Sequence, residues 1–286
     1  MIFLFSLFVS FAQAQTSADY IQKNAQVVSG VSLPTSALSE LSASKLVLLG
    51  DFHGTTEIPM AVFDILKSLS AGEKIDFGIE FPEEIQPAVD AFLANGDSKV
   101  LSNTTFFQDI SRHSGKASVA MVELLSKLRS LKNVKVFCFD VNSGSILDSK
   151  ERETALAKTI LKKMRKLNRN KTVIFTGNVH SRIVRGVPWD PAYPAMGSEI
   201  LRLSNSLDQI GTPASVLFRL GKGSAFNCLV LNGREECATH DFDYSMSVYF
   251  STVVGNYFLV EPQITDGHNF SFILQTVGAS APFSSL

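Results

Sequence analysis

Leu46-Val47-Leu48-Leu49-Gly50-Asp51-Phe52-His53 and Val173-Ile174-Phe175-Thr176-Gly177-Asn178-Val179-His180 share one plan: an apolar run, then a glycine, with a histidine three positions on. Two further runs, Ile75-Asp76-Phe77-Gly78-Ile79 before Glu80 and residues 134–139 before Asp140, are built alike but close on an acid. Near-continuous apolar runs of this length fit strands covered on both faces, as in a parallel sheet. Between them the apolar spacing becomes helical. Ile58, Val62, Ile65, Leu66 and Leu69 form one stripe, with Thr55 or Thr56 available as a cap and Pro59 tolerated in the first turn. Leu156, Ile160, Met164 and Leu167 form another, with Lys158, Lys162, Lys163 and Lys166 turned to solvent, and residues 118–131 fit a third helix. Strands alternating with helices predict an α/β fold with a mostly parallel central sheet flanked by helices.

Residues 95–116 and 181–196 read as loops, and loops of that length in a compact domain are often functional. After Pro213 the character turns to β, with candidate strands over 215–220, 226–231 and 257–261. No linker separates them, so these extra β strands of the C-terminal third are expected to complete the same sheet, giving a single α/β domain over 15–286.

Residues 2–11 are almost wholly apolar and lead into Ala12-Gln13-Ala14, the pattern of a secretory signal peptide cut after Ala14. The run is too short to span a bilayer, so the expectation is an exported protein, periplasmic or extracellular, with no stable membrane span. Export gives the cysteines meaning. Cys228 and Cys237 flank a segment containing Asn232-Gly233, a strong hairpin turn, and could meet as a disulfide in an oxidising compartment. Cys138, within Val-Phe-Cys-Phe, reads as a buried small hydrophobe. There is no Cys-x-x-Cys pair, hence neither a thioredoxin-type site nor a zinc knuckle. Of 286 residues 45% are hydrophobic, which excludes a disordered chain, and 26 Lys+Arg against 27 Asp+Glu leave no charge field for nucleic acid or anionic membrane.

In open α/β sheets ligands bind at the carboxyl ends of the strands. His53 and His180 are therefore expected on one rim, with Asp51, Glu80 and Asp140 beside them, each glycine permitting a sharp exit from its strand. Two chemistries are open to such a cluster. A carboxylate-oriented histidine can take a proton from water; alternatively two histidines and a carboxylate, here His53, His180 and Glu80, suffice for a catalytic divalent metal. A single Gly-x-x-His is commonly an ordinary polar strand end; its duplication carries the argument. His113, in Ser-Arg-His-Ser-Gly, is a candidate substrate contact, although a solvated loop histidine is the plainer reading. His240 and His268 read as turn residues beside Asp241 and Asn269. Tyr244, Met246 and Tyr249 are of types that can ligate haem iron, but at such spacing they are more often core.

Gly50-Asp51-Phe52-His53-Gly54 with Glu57 behind it, Phe77-Gly78-Ile79-Glu80, Phe137-Cys138-Phe139-Asp140, Arg152-Glu153-Thr154-Ala155, Gly177-Asn178-Val179-His180 and Met196-Gly197 follow one another over residues 45–205. In order and spacing this resembles the superfamily joining erythromycin-esterase-like hydrolases, the ChaN haem-binding lipoproteins and the Tiki/TraB proteins. The esterase-like branch implies His53 as general base toward water, Asp51, Glu57 and Glu80 as acidic partners and His180 as a second histidine. Its members usually carry Glu where this chain has Asp51, a carboxylate one methylene shorter. The Tiki branch implies a metal-dependent peptidase using His53, His180 and Glu80. The ChaN branch implies haem binding without catalysis; no cysteine near the cut would carry that branch's lipid anchor, and there is no Cys-x-x-Cys-His for covalent haem. Asp140, Asn178, Arg152 and His113 are the supporting or substrate-contacting candidates. The expectation is thus an exported hydrolase of a small ester, amide or peptide, with His53 served by acids or by a divalent metal. A non-catalytic haem-binding protein and a degenerate scaffold are the alternatives.

Overall fold

The four apolar runs are strands, and they lie side by side. In the computed structural model, which describes residues 16–283 other than 143, 146, 168–170, 206, 207, 209 and 232, nine strands form one sheet. The expected signal segment, 1–14, and Asn232 of the expected turn lie outside the described residues. The strands are β1 Gln26–Val27, β2 Leu46–Asp51, β3 Ile75–Pro82, β4 Val134–Asp140, β5 Lys171–Gly177, β6 Ala214–Leu231, β7 Arg234–Asp243, β8 Tyr257–Thr265 and β9 His268–Val277. Their order is β1-β8-β9-β6-β2-β5-β3-β4, with β7 paired to β6. From β9 through β6, β2, β5 and β3 to β4 every neighbour is parallel; β1, β7 and β8 add antiparallel pairs. The C-terminal strands therefore do complete the same, mostly parallel, sheet.

β2, β3 and β5 are buried along their whole length because helices cover both faces. The helices Glu57–Leu69, Gln86–Asn95 and Val119–Leu128 pack one face through Ile58, Val62, Ile65, Val89, Leu124 and Leu125. Ser149–Leu167 and Met196–Leu203 pack the other through Leu156, Ile160, Met164 and Ile200. Each such aliphatic side chain contributes roughly 1.5–3 kcal/mol of burial, so the two stripes and not helix propensity hold these segments. Lys158, Lys162 and Lys166 are exposed as expected, while Lys163 pairs with Glu83 at 3.1 Å. Among the described residues no helix is long and apolar enough to cross a membrane.

Four local expectations are corrected. Residues 95–116 are not loop throughout: they hold the short helices Lys99–Ser102, Thr105–Gln108 and Ile110–His113, because Leu101, Phe106 and Phe107 turn into the core. Neither threonine caps Glu57–Leu69 by its side chain; Thr56 instead reaches the Ala279 carbonyl. His240 lies within β7, and His268 opens β9 and is buried, so neither is a turn residue.

β6 does two jobs. Residues 214–223 run parallel between β2 and β9; the remainder leaves the sheet as an antiparallel arm with β7. Cys228 and Cys237 face each other across that arm and are joined, as expected, by a disulfide. The arm returns to the rim: Phe226 N–H donates to the Gly54 carbonyl at 3.0 Å, and Cys228 N–H to Ser114 Oγ at 3.0 Å. Gly54 has φ +85°, and a Cβ there would stand 1.8 Å from the Phe226 carbonyl oxygen, so only glycine fits.

Candidate functional site

β2, β5, β3 and β4 are consecutive neighbours, so their carboxyl ends bring Asp51, Gly177, Glu80 and Asp140 to one edge. His53 and His180 follow just beyond. A cleft of about 470 Å³ opens there, lined by His53, Glu80, Asp140, Arg152, His180 and Lys116 among others. Gly177 lies between the two imidazoles: a Cβ at that position would lie 3.3 Å from His53 Nε2 and 3.2 Å from His180 Cδ2.

The two histidines are held in different ways. His53 Nδ1 donates to Asp51 Oδ2 at 2.8 Å, leaving Nε2 with its lone pair, 3.8 Å from Glu80 Oε2. His180 Nδ1 donates to Glu153 Oε1 at 2.6 Å, and its Nε2 accepts from Arg152 Nη1 at 3.0 Å. The carboxylate partner fixes the tautomer in both. His53 thus offers a basic nitrogen to the cleft, whereas that of His180 is already engaged by a guanidinium.

Glu80 is the hub. Its Oε2 accepts from Thr176 Oγ1 at 2.7 Å and from Gly177 N–H at 2.8 Å; its Oε1 accepts from Lys116 Nζ and from Arg152 Nη2, both at 3.0 Å. Burial alone would raise this carboxyl, but Lys116, the two imidazoles that face it and Arg152 outweigh it and hold Glu80 well below the usual carboxylate range. Asp140 takes Arg152 in a fork, Nε to Oδ1 at 3.0 Å and Nη2 to Oδ2 at 2.7 Å, with Lys116 Nζ at 3.3 Å from Oδ2. Burial works against the Arg152 charge, but Glu80 and Asp140 raise its pKa overall. A guanidinium has five N–H donors and an ammonium three. Four of the Arg152 donors and two of the Lys116 donors are placed by these bonds, so each retains one N–H beside the cleft.

The structure thus gathers Asp51, His53, Glu80, Asp140, Arg152 and His180. It engages three other candidates elsewhere. Glu57 Oε2 accepts the Gly278 N–H at 2.9 Å and anchors the C-terminal segment. Asn178 donates its N–H to the Asp51 carbonyl, but its side chain lines a different cavity. His113 is fully buried against Phe106 and so does not lie in solvent; burial, then the Lys116 charge, lowers its pKa to about 4.

Lys116, Glu153, Thr176 and Tyr193 were not singled out from the sequence. Glu153 is wholly buried and accepts from His180, from the Tyr193 hydroxyl at 2.8 Å and from Met196 N–H at 2.7 Å. It continues the apolar stripe of its helix three positions before Leu156, and an acid on a buried helix face was the available signal. Lys116 sits in a polar, glycine-containing stretch that offers none.

The donor set does not fit a divalent metal. Glu80 turns a different oxygen to each imidazole, Lys116 and Arg152 occupy its Oε1, and the lone pair of His180 is spent on Arg152. Among the described residues the only three metal-type donor atoms within 4.8 Å of one another belong to Cys228, Cys237 and Glu235, and the two sulfurs are bonded to each other. The haem-type side chains do not converge either: Tyr244 and Met246 are exposed, and the Tyr249 hydroxyl is committed to Glu261 and Thr16.

No protein-family model matches the chain, and no curated protein matches it. Solved structures do. A succinoglycan biosynthesis protein superposes with a TM-score of 0.69 at 10% identity, over 92% of this chain and 97% of that one. Erythromycin esterase EreC, a variant in its open conformation, superposes with a TM-score of 0.68 at 10% identity, over 92% of this chain and 99% of that one. The chain has the erythromycin-esterase fold. The resemblance carried by the Gly-x-x-His and acid motifs therefore holds at the level of the fold. The haem-bound ChaN of Campylobacter jejuni aligns over 64% of this chain and 85% of that one at 10% identity, with a TM-score of 0.44, which carries no argument about haem.

Proposed function

We propose that this chain is a metal-independent hydrolase in which His53, oriented by Asp51, activates water for attack on a small ester, amide or peptide carbonyl. The observation that carries the reading is the free Nε2 of His53 facing the cleft while Nδ1 is held by a carboxylate. Water gives its proton to Nε2 as its oxygen attacks the carbonyl carbon. The resulting oxyanion meets the spare N–H groups of Lys116 and Arg152, preorganised donors of the kind that stabilise such charge. The proton then passes from Nε2 to the leaving oxygen or nitrogen. His180 acts as a positioning residue, fixing Arg152. EreC, which shares the fold, is by its name an esterase of erythromycin, and this favours an ester. The disulfide supports an oxidising compartment and hence export.

The test is turnover of p-nitrophenyl acetate and of a lactone by the purified protein, before and after EDTA. Turnover should persist in EDTA and fall about 10²–10⁴-fold in His53→Ala. Unchanged turnover in His53→Ala would overturn the assignment of the base, and loss in EDTA reversed by zinc would overturn the metal-free reading.

A further inference from the structure

A second cavity, of about 310 Å³, lies across the Gly177–His180 turn from the cleft; Asn178 and Val179 form part of its wall, with Trp189, Pro188, Arg182, Asp266 and His268. It is at the small end of the range for small-molecule pockets, with room for one ring. Trp189 is the only tryptophan of the chain and is 71% exposed. Its exposure is not that of a loose tip. The loop is closed by Gly186 N–H on the Tyr193 carbonyl at 2.8 Å and by a Val187–Asp190 bridge, and Asp190 is tied to Lys150 at 2.7 Å. An exposed indole is therefore carried on a closed loop beside a cavity.

The polar groups of this cavity retain capacity. Among the described residues the Asn178 amide has no hydrogen-bond partner. Asp266 Oδ2 pairs with Arg219 at 2.9 Å, while Oδ1 has none. Arg182 donates Nε to the Gly186 carbonyl and Nη1 to the Asp266 carbonyl, leaving Nη2. Charge is balanced in the wall, where Arg182 is offset by Asp266. An anion would require surplus positive charge, and a purely apolar ring would leave three hydrogen-bonding side chains unmatched. A pyranose answers both demands. Its C–H face stacks on an indole, and its neighbouring hydroxyls, each donor and acceptor, match a carboxylate, an amide and a guanidinium.

We propose that this cavity is a binding site for a neutral saccharide ring, with Trp189 as platform and Asn178, Asp266 and Arg182 as its hydroxyl partners. The site is independent of the hydrolytic reading.

The lone tryptophan is its own reporter. Titration of the full chain with methyl β-D-glucopyranoside or methyl β-D-galactopyranoside should give a saturable blue shift of Trp189 emission, as the ring displaces water from the indole. Ligand-observed NMR with the same probes should show binding weakened about tenfold or more in Trp189→Ala, the size expected for loss of one stacked aromatic. Asp266→Asn, which keeps the shape of the turn, should weaken it as well. Thermal melts will show that both variants fold, Trp189 being exposed. No saturable shift with either glycoside, binding unaltered in Trp189→Ala, or saturation by benzoate or inorganic phosphate in place of the glycosides would each overturn the proposal.

Discussion

Asp51 Oδ2 stands 2.8 Å from His53 Nδ1 with only Phe52 between them in the chain. The strand ends at Asp51 and the chain bends at His53, which brings the imidazole back beside the carboxylate while Phe52 meets Phe242 edge-on. Orienter and base are thus set by the same three residues. Asp51→Asn should replace the acceptor-only carboxylate by an amide whose N–H₂ can donate to Nδ1 and select the other tautomer, lowering kcat by about 10²–10⁴-fold with KM nearly unchanged, by analogy with loss of the orienting carboxylate in hydrolytic triads. Steady-state kinetics on the same ester decide it; a change confined to KM would contradict this role.

Arg152 offers a different test. It serves Glu80, Asp140 and His180 at once, and its side chain is 26% exposed. Arg152→Met leaves two buried carboxylates with Lys116 as their one hydrogen-bonded cation, and unfolding in urea should show a loss of about 3 kcal/mol or more. Lys116→Met, which keeps the guanidinium fork, should cost less. Equal losses would mean that the fork is not what holds the pair.

Acid should weaken the fold through two buried histidines that take no part in the proposed reaction. Burial lowers His113 to about 4 and His268 to about 3, from the ordinary 6.5. The native state refuses protons that the unfolded chain accepts below 6.5. The stability these groups contribute is therefore complete above pH 6.5 and lost as pH falls toward 4 and then 3. Urea midpoints measured from pH 7.5 to 4 should fall, and His268→Gln should flatten the slope.

The arm makes redox state relevant to the cleft. Replacing Cys228 and Cys237 by serine should cost roughly 2–3 kcal/mol in the chain-entropy picture. Because the arm bonds Gly54 and Ser114, turnover should fall together with stability. Thiol labelling of the unreduced protein should find Cys138 alone, and slowly: the thiol is buried and its pKa is raised by that burial. The expected cut after Ala14 is checked by the mass of the chain recovered from outside the cytosol, with Gln15 first.

The parallel strands were legible because full burial leaves no alternation to confuse, so the apolar runs 46–49 and 173–175 announce the strands Leu46–Asp51 and Lys171–Gly177. The histidine and carboxylate ends followed from topology alone. β9 was not legible: Phe270-Ser271-Phe272 mixes polar residues into a buried strand, where the Ser271 hydroxyl is satisfied by Glu261. Glu57 misled because proximity in sequence is not orientation; the first turn of its helix aims it at Gly278. Lys116 and Glu153 were hidden because pairing in the fold, invisible in a single chain, is what makes a buried charge tolerable.

The double use of β6 also has a temporal side. Synthesis at ~5–20 residues per second delivers the N-terminal part first. When His180 leaves the ribosome, every acid and base of the cleft has been made, but neither β6, the second strand to flank β2, nor the arm that rests on Gly54 has. Val47 must wait for Ala214, and until then β2 is a hydrophobic edge open to other chains. A nascent or truncated product without residues 214–231 would leave β2 with an open apolar edge and the Gly54 carbonyl without the Phe226 N–H, the state most exposed to aggregation.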